Sequence, residues 1–195
     1  MNLIYLLSHP VITLKRSYYY LFGITIGQLF YSKRIFKSKY FTRPGSEGWT
    51  WLCHDFFYQH IIGTNKHIPW PCAPGIRIVN PSNINFHVDD LNNFQTDGVY
   101  YQAIGRITIG EGSYIAPNVG LITENHDIYD PDKRGGQKDI VIGKKCWIGM
   151  NSVILPGVQL GDHTVVGAGS VVTKSFSEGY VVLVGNPAHV LKEIK

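Results

Sequence analysis

The chain has 195 residues, 44 % of them apolar and 16 % charged, enough to bury a substantial core and too apolar for a disordered tail. Its 21 glycines and 10 prolines follow no Gly-X-Y order, which excludes a collagen-like rod and points to a loop-rich or repeat-built fold. The formal charge of +4 is uneven: residues 1–46 hold seven basic side chains and no acidic one, whereas the remainder is slightly acidic. Cys53, Cys72 and Cys146 are too few and too scattered for a disulfide framework or a paired metal site, and they fit a reducing compartment.

Residues 1–41 mix apolar runs ("NLIYLL", "SYYYLFGITIGQLFY") with basic pairs. Neither run reaches the ~20 residues that cross a bilayer. No small-residue cleavage site clearly follows the first run, as a secretory signal would require. Two readings stay open: peripheral contact with a membrane through aromatic and basic side chains, or an extension that packs on the domain or on a partner subunit. No nucleic-acid-binding module accompanies the charge, so nucleic acid is not expected as a partner. Residues 42–75 read as irregular chain with one short helix near Trp51–Ile61, closed by the proline-rich "IPWPCAPG". The basic aromatic extension and its lead-in therefore cover 1–75.

From residue 76 a six-residue period takes over. Ile142, Ile148, Ile154, Leu160, Val166 and Val172 keep it without error, as do Ile109, Ile115 and Leu121, with Ile78 and Ile84 as an imperfect earlier instance. Small or β-branched residues stand two places earlier (Val119, Ser152, Val158, Thr164, Ser170). Glycine or alanine often stands one place later (Gly110, Ala116, Gly143, Gly149), where it is expected to give the turn backbone freedom. A period of six suits a coil of short strands in which each aliphatic stacks on its copy one coil away. Two segments break it, near 85–106 and at 125–139 ("NHDIYDPDKRGGQKD"), the second rich in charge and hydrogen-bonding groups.

The segments "IGEGSYIAPNVGLI" and "IGKKCWIGMNSVILPGVQLGDHTVVGAGSVVTK" resemble the hexapeptide-repeat acyltransferases, most closely the galactoside, maltose and capsular-sugar O-acetyltransferases. The resemblance implies an all-β solenoid over residues 76–186, a left-handed parallel β-helix. It also implies a capping helix over 187–195, since "VGNPAHVLKEI" matches the usual tail. The implied activity is acetyl transfer from acetyl-CoA to a sugar hydroxyl in surface-polysaccharide biosynthesis, by a homotrimer with active sites between subunits. Such an enzyme is expected in the cytoplasm, or peripherally at the inner membrane face.

Acetyl transfer requires the attacking hydroxyl to lose a proton, work that an imidazole titrating near neutrality can do. The family's base follows the hexad ending "GLIT", which carries the role onto His126, with Asn125 and Asp127 as candidates to orient it. The same resemblance assigns the coenzyme to Met150, Ala168, Thr173, Lys174 and Lys192; Trp147, which flanks a repeat turn and is expected to wall the pocket, and Gly149 are counted with them. Met150 replaces a common serine, and Lys192 a common arginine. Asp89, Asp90, Asp97, Tyr101 and Gln102 offer hydrogen bonds to a saccharide, and the acceptor is assigned to Asp97, Tyr101 and Gln102. Some proteins on this scaffold are metal enzymes with three converging histidines, but no such spacing surrounds His126, so no metal is expected. Two alternatives remain: a serine O-acetyltransferase-like enzyme, whose large helical N-terminal domain residues 1–75 are too short to supply, and a non-catalytic scaffold.

Overall fold

The computed structural model describes residues 10–194. The run "NLIYLL" lies outside them. The chain divides into two compact units, with the break between Pro74 and Gly75.

The first unit is more helical than its sequence implied. A helix over Pro10–Phe22 continues through one wide turn, Gly23–Gly27, and ends with Gln28–Phe30. A second helix covers Glu47–Phe56 and runs on into Phe57–Ile62, beginning four residues before the expected Trp51. Gly23 and Gly27 explain how the two meet: a Cβ on Gly27 would lie 2.7 Å from Leu52 Cδ2, and one on Gly23 would run into the Trp49 ring. Behind them Gln59, fully buried, is saturated. Its Oε1 accepts from the Tyr31 hydroxyl at 2.8 Å, and its Nε2 faces the carbonyls of Asn65, Ile68 and Trp70. Burial pushes the Tyr31 hydroxyl well above its ordinary pKa, with Asp55 as a lesser cause. It raises the Cys53 thiol to about 12.

The second unit is a coil of two- to four-residue strands. From Tyr100 onward successive coil strands fall in three parallel ladders visited in turn, so each coil has three sides; the earlier strands Arg77–Ile78 and Ile84–Phe86 enter only two of them. The aliphatic period becomes three inward ladders: Phe86–Ile109–Ile142–Leu160, Ile115–Ile148–Val166–Leu183, and Ile78–Tyr101–Leu121–Ile154–Val172. Every member is at most 8 % exposed, so the core is continuous along the coil axis. Ile78 and Ile84 belong to it, Ile84 stacking on Ile107. The small hydroxyl residues turn inward as well and satisfy the corners: Ser152 Oγ donates to Gly149 O at 2.6 Å and Thr164 Oγ1 to Gly161 O at 2.7 Å.

The glycines after the aliphatics serve a different end from the one expected. A Cβ on Gly143 would stand 2.6 Å from Asp162 N, and one on Gly149 2.6 Å from Val166 O; neither has positive φ. They are small because the next coil stacks directly on them. Left-handed backbone comes two residues later instead, in the stacked Asn118, Asn151 and Gly169 (φ 59°, 59° and 71°).

The C-terminus corrects the expected helix. His189–Glu193 is a strand, antiparallel to Val181–Val184. The last coil leaves a row of unpaired backbone groups at its edge, and a returning strand satisfies them where a helix would not.

Candidate active site

The break at 125–139 is an ordered hairpin. Glu124–His126 pairs antiparallel with Arg134–Gln137, and Arg134 meets Glu124 at 2.9 Å. Its root is tied to the coil at Thr123, which is fully buried. Thr123 Oγ1 accepts from the N–H groups of Ile104 and Gly105 (3.0 and 3.1 Å), and its carbonyl accepts from Lys138 N at 2.7 Å. The Gln102 side-chain oxygen accepts from the N–H groups of both Thr123 and Glu124 at 2.8 Å. His126 thus stands three residues after Thr123 and two after Glu124, so the loop-borne imidazole starts from a fixed backbone.

The ring has one described partner: Nδ1 lies 2.5 Å from the carbonyl oxygen of Pro131. A carbonyl only accepts, so Nδ1 carries the proton and Nε2 presents a lone pair. Neither Asn125 nor Asp127 supplies this contact. Asp127 Oδ1 instead accepts from the N–H groups of Tyr129 and Asp130 (2.8 and 3.1 Å) and folds the hairpin tip. A local Asx turn captured the carboxylate expected to orient the base.

His126 lines a groove of about 350 Å³ with Asn125, Asp127, Lys138, Leu155, Pro156 and Thr173. Lys138, Leu155 and Pro156 escaped the sequence reading. A signal existed: Leu155 and Thr173 are 18 residues apart, one full coil, and each follows an inward aliphatic at the same corner. Pro131 carried no comparable signal, because its role depends on how the hairpin closes. A larger groove of about 630 Å³ at the C-terminal base, lined by Ser175–Val181, Val190, Glu193 and Ile194, holds none of the expected site residues.

Of the other expected coenzyme residues, only Lys174 stands near this groove. Lys174 shares the corner of Thr173, with its ammonium 5.6 Å from the Phe176 ring centre. Met150 and Ala168 are exposed on a second corner, beside the Asn118–Asn151–Gly169 stack. Gly149 is buried there. Its N–H goes to Val166 O and its carbonyl takes the Ser152 hydroxyl, so its backbone serves the coil. Trp147, 58 % exposed, stands in the outward column Tyr114–Trp147–Val165–Val182–Lys192. Lys192 is three strand spacings away, roughly 14 Å.

The assigned acceptor residues do not converge. Tyr101 is fully buried in an inward ladder, and its hydroxyl donates to Asn93 O at 3.2 Å. It cannot meet a sugar. Gln102 is committed to the hairpin root. Asp90 is buried with both carboxylate oxygens on Gly112 N (3.1 and 3.0 Å). Asp97 is exposed, but it sits at the Met150 corner, where its carbonyl receives Asn118 N, and not at the groove of His126. Among the described residues no three His, Cys, Asp or Glu side chains are grouped to hold a metal.

A three-sided coil whose inward ladders repeat every six residues, with a histidine on a hairpin at one corner, defines a class. Residues 139–174 match the family described as bacterial transferase hexapeptide (six repeats), and the resemblance read from the repeat is borne out. Among named proteins, the chain is 43 % identical over 91 residues to the galactoside O-acetyltransferase of Escherichia coli (strain K12), covering 45 % of this chain and 44 % of that one. It is 43 % identical over 97 residues to the putative colanic acid biosynthesis acetyltransferase WcaF of the same strain, covering 50 % and 53 %. Among solved structures, a galactoside acetyltransferase in complex with coenzyme A superposes with a TM-score of 0.54 at 33 % identity, over 65 % of this chain and 62 % of that one. The chain spans about half the length of these curated relatives.

Proposed function

We propose that the protein is an O-acetyltransferase that moves an acetyl group from acetyl-CoA to a hydroxyl of a saccharide destined for a surface polysaccharide. The observation that carries the reading is His126, which lines a groove together with Thr173 and whose Nδ1 lies against Pro131 O, leaving Nε2 as the ring nitrogen free to act as base. His126 Nε2 takes the hydroxyl proton as the sugar oxygen forms its bond to the acetyl carbon. The C–S bond then breaks, and the imidazolium returns the proton to the departing thiolate. The Pro131 carbonyl keeps its hydrogen bond throughout and stabilises the imidazolium between the two transfers. Leu155 and Pro156 offer an apolar wall for a pantetheine arm, and Lys138 and Lys174 offer cations for phosphates. One relative is named a galactoside O-acetyltransferase and another a putative colanic acid biosynthesis acetyltransferase, which supports a saccharide acceptor.

The coil is taken as left-handed and the assembly as a homotrimer. What supports a trimer is the division of the expected coenzyme residues: Thr173 and Lys174 stand at the corner of His126, while Met150 and Ala168 stand at another, with Trp147 on the strand that leads into it. Two copies facing each other would unite the two groups in one cleft. Three cysteines that form no disulfide suit a reducing compartment such as the cytoplasm. The test follows thiol release from acetyl-CoA with hexosides, oligosaccharides and serine as acceptors, alongside native mass spectrometry. Saccharide-dependent release by a trimer, abolished in His126→Ala, is the expected result. Turnover with serine alone, or undiminished turnover in His126→Ala, would overturn it.

A further inference from the structure

The first unit presents an apolar surface of its own. The packed side of its first helix is marked by Gly23 and Gly27, buried against Trp49 and Leu52. Away from them, Val11, Leu14, Tyr18 and Leu21 follow at three- and four-residue spacing and are 77, 74, 59 and 57 % exposed; Leu29 is 81 % exposed. A helix on a soluble domain normally turns polar residues to this side. The second helix extends the apolar surface with Phe57 and Ile61, which border a groove of about 340 Å³ together with Tyr18, Tyr19 and Phe22.

Charge decides what would cover it. Residues 1–74 hold eight basic and two acidic side chains, and one of the two acids, Asp55, is buried. Lys15, Lys33, Lys37 and Arg43 are exposed. A second copy would bring the same positive charge to the contact and be repelled. An anionic lipid surface meets both features at once: the acyl boundary takes the leucines and the headgroups take the lysines. Among the described residues no helix is long and apolar enough to cross a membrane, so the helix would lie along the surface.

We propose that Pro10–Phe30 is an in-plane membrane helix that buries Val11, Leu14, Tyr18, Leu21 and Leu29 in an anionic bilayer, with Lys15, Lys33 and Lys37 at the headgroups. This inference is independent of the acetyl-transfer reading. The test is flotation of the full chain with vesicles of phosphatidylcholine carrying about one-third phosphatidylglycerol, against phosphatidylcholine alone. Wild type floats with the anionic vesicles and is released by salt. The triple variant Leu14→Gln/Leu21→Gln/Leu29→Gln, all at exposed positions, binds roughly 100-fold more weakly with unchanged helical circular dichroism. Lys33→Gln/Lys37→Gln loses roughly 30-fold on anionic vesicles only. Wild type remaining unbound on both vesicle types would overturn the proposal, as would a triple variant that floats like wild type. A triple variant that floats normally while its oligomeric mass falls would give the face to a second copy instead.

Discussion

Gln102 separates two accounts of this protein. Read from the sequence it binds the acceptor; in the structure it holds the hairpin root, its side-chain oxygen taking two backbone N–H groups at 2.8 Å. Gln102→Leu is near in size and leaves both N–H groups of Thr123 and Glu124 without this acceptor. Each bond is worth a net of about 0.5–1.5 kcal/mol, so the pair contributes about 1–3 kcal/mol to keeping the root closed. That corresponds to roughly a 5- to 150-fold shift in local opening. Hydrogen exchange at the Thr123 and Glu124 amides reads it directly and should accelerate by that factor, with kcat falling because His126 lies two residues on. Gln102→Glu keeps an acceptor oxygen at the same reach and should restore most of the protection. Unchanged exchange in Gln102→Leu, together with a raised KM for the acceptor alone, would refute the positioning role and return Gln102 to the binding site.

His126→Ala should lower kcat by about 10²- to 10⁴-fold with little change in melting temperature, since the ring is exposed; steady-state kinetics and calorimetry check both halves. Ile148→Ala removes a fully buried side chain between Ile115 and Val166 and should cost about 2–5 kcal/mol in urea unfolding. Gly149→Ala should be strongly destabilising despite its small size, because its Cβ meets the Val166 carbonyl; thermal melting tests this. The Cys53 thiol is raised by burial from about 9 to about 12, and Tyr31 is raised too, so the folded state holds protons that the unfolded state releases. Their contribution is intact below pH 9 and is lost as pH rises from there toward 12. Alkaline melts of wild type should therefore fall more steeply than those of Cys53→Ala, and alkylation of native Cys53 at pH 8 should be far slower than that of a free thiol.

The six-residue period determined most of the second unit by itself. An inward aliphatic must recur wherever a coil stacks on its copy, so Ile109, Ile142 and Leu160 announce the core before any coordinates exist. The position of His126 was legible for the same reason, because a loop shows where the period stops. The period holds no information on contacts made across corners or within the loop. Only the tertiary structure assigned Nδ1 to the Pro131 carbonyl, turned Asp127 to its own backbone, and placed Tyr101 in the core and Gln102 at the hairpin root. The tail shows the same limit: "VLKEI" is compatible with helix or strand, and the open edge of the last coil decided for the strand. Hydrophobic periodicity reports which residues face the axis. Which polar group satisfies which is decided by whatever lies within three ångströms after folding.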